Sequence, residues 1–287
     1  QNQETTLRPE TRSLVLLRQG LKKTPFSPNA LLTWNELDLI RTEVFPCALA
    51  GLFPARSVGL NESWDAGLEA VQELFGRGCE LVILACNTAS AKALRNIQQN
   101  DLPNIDPEKR VLGVIRPSAE IIGQYSETNT IGVLATQGTV NSQSYILEIA
   151  KFSPQCKVYQ HACPLWVPLI ENNNHESNVG REFIKEDVDK LMAMNSRIDT
   201  IVLGCTHYPV LKEYIESIVP EGVKVISQGS IVADSLADYL LRHPWMDSKC
   251  TKNSTVQFLT TESVEEFNQN ANNYIDVEVK ASHIHLG

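Results

Sequence analysis

The sequence predicts an α/β protein made of two pseudo-symmetric, doubly wound lobes with mostly parallel sheets. From about residue 61 onward, apolar segments of strand length alternate with amphipathic helical segments. This alternation is typical of parallel sheets that helices cover on both faces. A short motif with a central cysteine occurs twice, at residues 82–88 and 201–207, and each copy is followed by a further predicted strand that ends in a turn. The repeat favours two lobes of similar structure.

The predicted elements follow one another regularly. Apolar side chains recur at helical spacing between residues 64 and 75. Buried strands are predicted at residues 81–85, 111–115, 131–134, 200–203 and 223–226. Further helices are predicted to run through residue 97, to start at residue 118, and to span 231–241. We expect the first lobe to comprise residues 1–108 and 230–287, and the second lobe residues 109–229.

Residues 1–60 do not continue this pattern. Residues 14–17 are apolar and are predicted to form a first strand, and residues 24–29 resemble a turn. No Gly-rich turn follows the candidate strand, and the rest of the segment shows no clear period.

Composition excludes several classes of protein. The chain has 287 residues, 43% of them hydrophobic, which is enough to bury a sizeable core. A formal net charge of -9 argues against nucleic acid as a partner. No apolar run approaches the roughly 20 residues of a membrane-spanning helix, so no membrane partner is expected. Seven scattered cysteines favour free thiols in a reducing cytoplasm.

Cys86 and Cys205 each stand directly after a predicted buried strand and before a helix. In open parallel sheets, ligands bind at this carboxyl edge, where backbone N–H groups attract anions and favour a thiolate. A single cysteine in such a turn is more often an ordinary half-buried residue, but two in matched positions favour a site. Polar residues that can hydrogen-bond a zwitterionic ligand follow both cysteines: Asn87, Thr88, Thr206 and His207.

Two thiols in matched turns suit proton transfer at a stereocentre. Inverting such a centre requires a base on one face and an acid on the other, and a cysteine is a base as thiolate and an acid as thiol. Oriented hydrogen-bond donors would stabilise the carbanion-like intermediate.

Other residues give weaker signals. His207 lies in a turn two residues after Cys205, so we interpret it as the partner that tunes this thiol. Glu171 follows an apolar run and, from the residues alone, would be a surface carboxylate. Thr136 and Thr139 follow a predicted strand in a turn that could bind an anion, although most such turns are ordinary helix caps.

Two other chemistries fit less well. Cys86, Cys205 and His207 could bind zinc, but the sequence shows no fourth ligand and no CxxC spacing. A thiol hydrolase dyad would leave the second cysteine unexplained. The sequence has no phosphate-binding loop, dinucleotide fingerprint or evident Schiff-base lysine, so no cofactor and no metal are expected.

Residues 85–90 (ACNTAS) and 204–209 (GCTHYP) resemble the two signature motifs of the glutamate racemase family. The resemblance extends from about Trp64 to the C-terminus. Further matching segments lie at residues 111–115, 134–139, 164–171 and 228–233.

The resemblance implies two α/β lobes with glutamate bound between them and no cofactor. It implies that Cys86 and Cys205 transfer the protons, facing D-glutamate and L-glutamate respectively. It also implies that Glu171 and His207 assist Cys205, and that polar residues of both cysteine turns bind glutamate: Asn87, Thr88, Thr206 and His207. Enzymes of this family supply D-glutamate for peptidoglycan, are cytoplasmic, and are often homodimers.

The N-terminal segment departs from the family. The family opens with a strand ending in Asp-Ser-Gly, whose Asp assists the first cysteine, and it later has a Pro-Tyr-Gly turn that holds substrate. Neither motif occurs in residues 1–60, and the nearest fragments, at 16–20 and 53–57, lack those groups. The sequence therefore leaves the group that assists Cys86 unassigned. The abruptness of the break favours a frameshifted stretch over a degenerate family member.

Two rival functions remain at this stage. An aspartate or hydantoin racemase of the same superfamily is the alternative enzyme, and the histidine after the second Cys-Thr pair favours glutamate. A catalytically degenerate glutamate-binding or regulatory protein is the non-enzymatic alternative. A carboxylate beside Cys86 would discriminate between the two classes.

Overall fold

The computed structural model describes residues 14–18, 48–50, 60–250, 256–261, 263–271 and 278–286. Within these residues, ten strands form two sheets in which every neighbouring pair of strands is parallel. The predicted α/β class with two parallel-sheet lobes is therefore confirmed.

The first sheet has six strands in the order β10-β9-β1-β2-β3-β4. These strands are β1 (Leu14–Arg18), β2 (Ala48–Ala50), β3 (Leu81–Leu84), β4 (Arg110–Gly113), β9 (Val256–Thr260) and β10 (Ala281–His283). The second sheet has four strands in the order β6-β5-β7-β8. These strands are β5 (Thr130–Ala135), β6 (Lys157–Ala162), β7 (Thr200–Gly204) and β8 (Lys224–Ile226).

Helices follow most of the strands. They are α1 (Leu60–Gly76), α2 (Asn87–Lys92), α3 (Leu94–Asn96), α4 (Leu102–Ile105), α5 (Ile115–Ile121), α6 (Gln137–Ser142), α7 (Ser144–Phe152), α8 (Trp166–Glu171), α9 (Asn178–Met194), α10 (Lys212–Ile218), α11 (Gly229–Arg242), α12 (Pro244–Lys249) and α13 (Val264–Ala271). A π-helical turn, Ile97–Asp101, joins α3 to α4, and 3-10 turns occupy Ile122–Gln124 and Tyr208–Leu211. Among the described helices, none is both long and apolar enough to span a bilayer.

Each sheet is buried on both faces. In β3, Leu81 and Ile83 pack into one apolar cluster, whereas Val82 and Leu84 pack into another on the opposite face. The second sheet has the same arrangement, because alternate residues of β7 enter two different clusters. Successive side chains of a strand point to opposite faces, so a strand covered on both sides must be apolar throughout.

The repeat predicted from the two cysteine motifs is visible in the strand order. The strand before Cys86 is β3, and the next strand along the chain, β4, lies beside it at the edge of the sheet. The strand before Cys205 is β7, and β8 lies beside it at the edge of the second sheet. The two cysteine turns therefore occupy corresponding places in the two lobes.

Some predicted boundaries need correction. The strand predicted at residues 111–115 ends at Gly113, and Ile115 begins α5 instead. The predicted division at residue 109 assigned this segment to the second lobe, but β4 pairs with β3 in the first sheet. The division of the chain into lobes otherwise remains a prediction. The first strand predicted at residues 14–17 is confirmed as β1, while the turn predicted at residues 24–29 lies outside the described residues.

Candidate active site

Cys86 lies in the turn between β3 and α2. Its backbone is extended (φ -76°, ψ 125°), and its carbonyl accepts the first hydrogen bond of the helix from the N–H of Ser90. Burial raises the pKa of the Cys86 thiol, while the N–H groups of Ala89 and Thr88 and the Thr88 hydroxyl lower it. The net shift is upward, so the neutral thiol is favoured.

Cys205 follows β7 directly and is buried. Burial raises the pKa of its thiol to about 12, although the N–H groups of His207 and Tyr208 lower it. The Nδ1 atom of His207 lies 3.8 Å from the Cys205 sulfur, and its Nε2 atom lies 3.2 Å from Oε1 of Glu171. Thiol, imidazole and carboxylate form a chain along which a proton can leave Cys205.

The two thiols come from different lobes and lie within electrostatic range of each other. Burial is the main cause of the raised pKa of Cys205, and a negative charge on Cys86 raises it further. Burial, and then a charge on Cys205, raise the pKa of Tyr145, whose hydroxyl donates to the Asn87 side chain beside Cys86. The two cysteine turns therefore lie close together at the boundary between the lobes.

A cluster of three hydroxyl groups crosses the same boundary. Oγ1 of Thr88 lies 2.8 Å from that of Thr136 and 3.4 Å from that of Thr139. Thr136 also caps α6 by accepting from the N–H of Thr139. The lobes approach closely here, because a Cβ atom on Gly138 would lie 2.9 Å from Cγ2 of Thr88. Three of the four threonines named as possible ligands thus lie together.

Asn87 is part of a buried polar network. Its Nδ2 donates to Oε1 of Gln228 at 2.8 Å, and its Oδ1 accepts from the Tyr145 hydroxyl at 2.8 Å. Gln228 in turn donates from Nε2 to the hydroxyl of Ser118 and to the carbonyl of Val114. The Asn87 side chain therefore retains one N–H and one lone pair of its oxygen for a ligand.

The structure therefore brings together most of the residues that the sequence singled out. Thr206 is exposed in the same turn as the buried Cys205 and is not part of the hydroxyl cluster. The N-terminal fragments at residues 19–20 and 53–57 lie outside the described residues, so a group from them beside Cys86 stays unassigned.

The sequence reasoning did not find Tyr145, Ser118 or Gln228. Tyr145 lies in a helix, where an aromatic residue predicts only core packing. Ser118 comes after β4, the strand that follows the first motif copy, and Gln228 comes after β8, the strand that follows the second copy. This symmetry was the available signal.

Within the described residues, one group of three donors is close enough to hold a metal ion. The ligand atoms of His161, Cys163 and Asp187 all lie within 4.8 Å of one another. A hydrogen bond of 3.0 Å between His161 and Asp187 accounts for that pair without an ion. The zinc set considered from the sequence, Cys86 with Cys205 and His207, does not form such a group.

Comparisons with known proteins agree with this geometry. A model of the family described as Asp/Glu/Hydantoin racemase matches residues 52–236. A glutamate racemase of Lactiplantibacillus plantarum is 33% identical over 216 residues, which are 75% of this chain and 76% of the relative. A glutamate racemase of Listeria monocytogenes is 34% identical over 221 residues, which are 76% of this chain and 79% of the relative.

Solved structures show the same similarity. A glutamate racemase isoform of Bacillus anthracis superposes with a TM-score of 0.78 at 26% identity, covering 96% of this chain and 98% of that chain. The fold is also that of a Francisella tularensis glutamate racemase solved with D-glutamate, with a TM-score of 0.75 at 23% identity and coverage of 97% and 99%.

The chain belongs to the Asp/Glu/hydantoin racemase family and is an amino-acid racemase, an isomerase. Within that family, the relatives described above are glutamate racemases.

Proposed function

We propose that this chain interconverts L- and D-glutamate without a cofactor, and that Cys86 and Cys205 transfer the α-proton on opposite faces of the substrate. The single observation that best supports this is the pair of neighbouring thiols, each at the end of a strand in its own lobe and each from one copy of the repeated motif. Relatives that are glutamate racemases favour glutamate over aspartate or a hydantoin.

The reaction begins with loss of the Cys205 proton. His207 Nδ1 accepts it, and the carboxylate of Glu171 stabilises the resulting imidazolium through Nε2. The Cys205 thiolate then removes the α-proton of L-glutamate, leaving a carbanion-like centre. The thiol of Cys86 donates its proton to the opposite face and becomes a thiolate. The reverse sequence converts D-glutamate into L-glutamate.

Polar groups around the thiols are proposed to hold the substrate. The hydroxyls of Thr88, Thr136 and Thr139 bond to one another in the structure, and we propose that they turn to donate to substrate carboxylates, together with the remaining N–H of Asn87. Thr206 and His207, in the turn that carries Cys205, are proposed to bind the substrate as well. Oriented donors of this kind stabilise charge that develops on the substrate carboxylate during proton removal.

We also propose the cellular setting that the resemblance implies. The product D-glutamate would supply peptidoglycan synthesis, and the protein would act in the cytoplasm as a homodimer. The six cysteines in the described part of the chain are all free, which fits a reducing compartment.

The test is circular dichroism of purified protein with L-glutamate or D-glutamate and no added cofactor. We expect the circular dichroism signal of both solutions to decay to zero as the amino acid racemises. In the Cys86→Ser and Cys205→Ser variants we expect the signal to persist, although the protein stays folded. Each thiol is needed because a proton must leave on one face and arrive on the other.

Cys250→Ser is the matched control, because Cys250 is buried in the first lobe, outside the site. Full activity in either active-site variant would contradict the two-base mechanism. Glutamate binding with no racemisation by the parent chain would favour the degenerate binding protein instead.

A further inference from the structure

We propose that Tyr145 is a positioning residue that sets the spacing between the turns carrying Cys86 and Cys205. The proposal rests on the proposed function, because the spacing of the thiols matters only if both reach one substrate. Nothing in the two cysteine motifs themselves identifies Tyr145, which lies in α7 of the second lobe.

Tyr145 contacts both turns at once. Its side chain is fully buried, and its ring packs so closely on Gly204 that a Cβ atom there would lie 3.1 Å from Cε2. Gly204 immediately precedes Cys205. At its other end, the hydroxyl of Tyr145 donates to Oδ1 of Asn87 at 2.8 Å, and Asn87 immediately follows Cys86. One rigid side chain therefore spans from one turn to the other.

Gln228 fixes the far side of Asn87. Its Oε1 accepts from Nδ2 of Asn87, and both of its own N–H groups are used, one by the Ser118 hydroxyl at 2.8 Å and one by the Val114 carbonyl at 3.0 Å. All of these side chains are buried. Both N–H groups of Gln228 and one N–H of Asn87 are paired within this network, so movement of either side chain would leave buried polar groups without partners and is resisted.

The network also joins the two places where the chain crosses between the lobes. Val114 and Ser118 lie where the chain leaves β4 of the first sheet for β5 of the second. Gln228 lies where the chain leaves β8 of the second sheet for α11, which packs against the first sheet. The hydrogen bonds of Gln228 therefore hold both crossings together, and Tyr145 extends this connection to the catalytic turns.

The decisive variants are Tyr145→Phe, which keeps the ring but removes the hydroxyl, and Gln228→Leu, which keeps the side chain's bulk but removes its polar atoms. The first measurement is the rate of alkylation of Cys86 and Cys205 by iodoacetamide, resolved by mass spectrometry. We expect both variants to accelerate these rates by about tenfold, because loosened turns open more often. Cys156, a half-buried thiol at the opposite edge of the second sheet, serves as the internal reference.

The second measurement is turnover. We expect kcat to fall by about ten- to a hundredfold while KM changes little, because misplacement of reacting groups affects the chemical step most. The kcat of the double variant should be no lower than that of Gln228→Leu alone, since both substitutions act through Asn87. Tyr159→Phe is the matched control, because the Tyr159 hydroxyl bonds only within the second lobe, to Asn195.

The outcomes separate the two proposals. Unchanged alkylation in a folded Tyr145→Phe variant, or additive losses in the double variant, would overturn the positioning role. If the parent chain has no racemase activity, the proposed function fails. The positioning role of Tyr145 is then decided by the alkylation rates of Cys86 and Cys205 relative to Cys156 alone. A lowered melting temperature with unchanged alkylation would mean that Tyr145 contributes only to packing.

Discussion

The two thiols have different surroundings. Cys205 has an imidazole 3.8 Å from its sulfur, and that imidazole is paired with a carboxylate. Within the described residues, the groups that lower the pKa of Cys86 are two backbone N–H groups and the hydroxyl of Thr88. We therefore expect a base to assist proton removal from Cys205, whereas the groups beside Cys86 are neutral donors.

Substituting Glu171 tests the proposed relay from Cys205 through His207. Burial is the main cause of the raised pKa of Cys205, and the negative charge of Glu171 adds to it. Glu171→Gln removes this charge, but it also removes the carboxylate that lies 3.2 Å from His207 and stabilises its protonated form. We expect the loss of this proton acceptor to dominate, so alkylation of Cys205 should slow at fixed pH and kcat should fall by about a hundredfold.

The measurement is the pH profile of Cys205 alkylation, recorded alongside kcat. Glu213→Gln, at an exposed carboxylate in α10 of the same lobe, is the matched control. If neither the profile nor kcat differs between Glu171→Gln and the parent, the proposed relay through His207 is wrong.

Individual site residues differed in how well the sequence predicted them. Cys86, Cys205 and His207 were predictable because each follows an apolar strand at the edge where ligands bind. Glu171 was not predictable from local pattern, because it lies 36 residues from His207 and an acidic residue after an apolar run is usually exposed. Tyr145 and Asn87 are separated by 58 residues, so no local spacing indicates their contact.

At the scale of elements, the fully buried strands were the predictable ones. β3, β5 and β7 are buried throughout and mostly apolar, so their sequences distinguish them from helices and loops. β6 was missed because it is an edge strand with polar side chains and only partial burial. β9 and β10 were also missed, and they lie at the far edge of the first sheet.

The contact between α2 and α6 predicts an effect of Gly138. A Cβ atom at this position would lie 2.9 Å from Cγ2 of Thr88 and 3.3 Å from Cε of Lys92. Lysine can move aside, but Thr88 is branched at Cβ and is held by hydroxyl contacts with Thr136 and Thr139. Gly138→Ala should therefore displace Thr88 and raise the KM for glutamate by about tenfold, through lost orientation of the substrate.

The stability of this variant should change little, because alanine favours a helix over glycine by about 1 kcal/mol and offsets part of the strain. Steady-state kinetics and thermal unfolding are the measurements. Gly76→Ala is the matched control, since a Cβ atom there would meet nothing within 4 Å. A KM equal to that of the parent would show that the close approach does not position Thr88.

At the scale of the whole molecule, the N-terminal segment is the part that departs from the family. The family model matches residues 52–236, which leaves residues 1–51 and 237–287 outside the match, and residues 1–60 lack the Asp-Ser-Gly and Pro-Tyr-Gly motifs of the family. The sheet nonetheless contains β1, which pairs with β2 and β9. An apolar segment is sufficient to complete a sheet, whereas the resemblance to the family implies that catalysis also uses polar groups at the end of that strand.

We therefore expect the chain to racemise glutamate slowly. Replacing residues 1–60 with a family-type segment that contains Asp-Ser-Gly and Pro-Tyr-Gly should raise kcat by at least about a hundredfold, because it supplies a base beside Cys86 and further substrate contacts. The same graft with Asn in place of that Asp is the control. If the parent chain and the grafted chain have equal kcat, residues 1–60 are sufficient for catalysis as they are.

The central claim is that two cysteines exchange the α-proton on opposite faces of glutamate. It is tested most directly by incubating L-glutamate with the protein in deuterium oxide and analysing both enantiomers at low conversion. Because the departing proton stays on Cys205 while Cys86 delivers one from solvent, D-glutamate should carry deuterium at the α-carbon and the recovered L-glutamate should remain unlabelled. D-glutamate that retains its original α-proton would mean that one base serves both faces, and would contradict the mechanism.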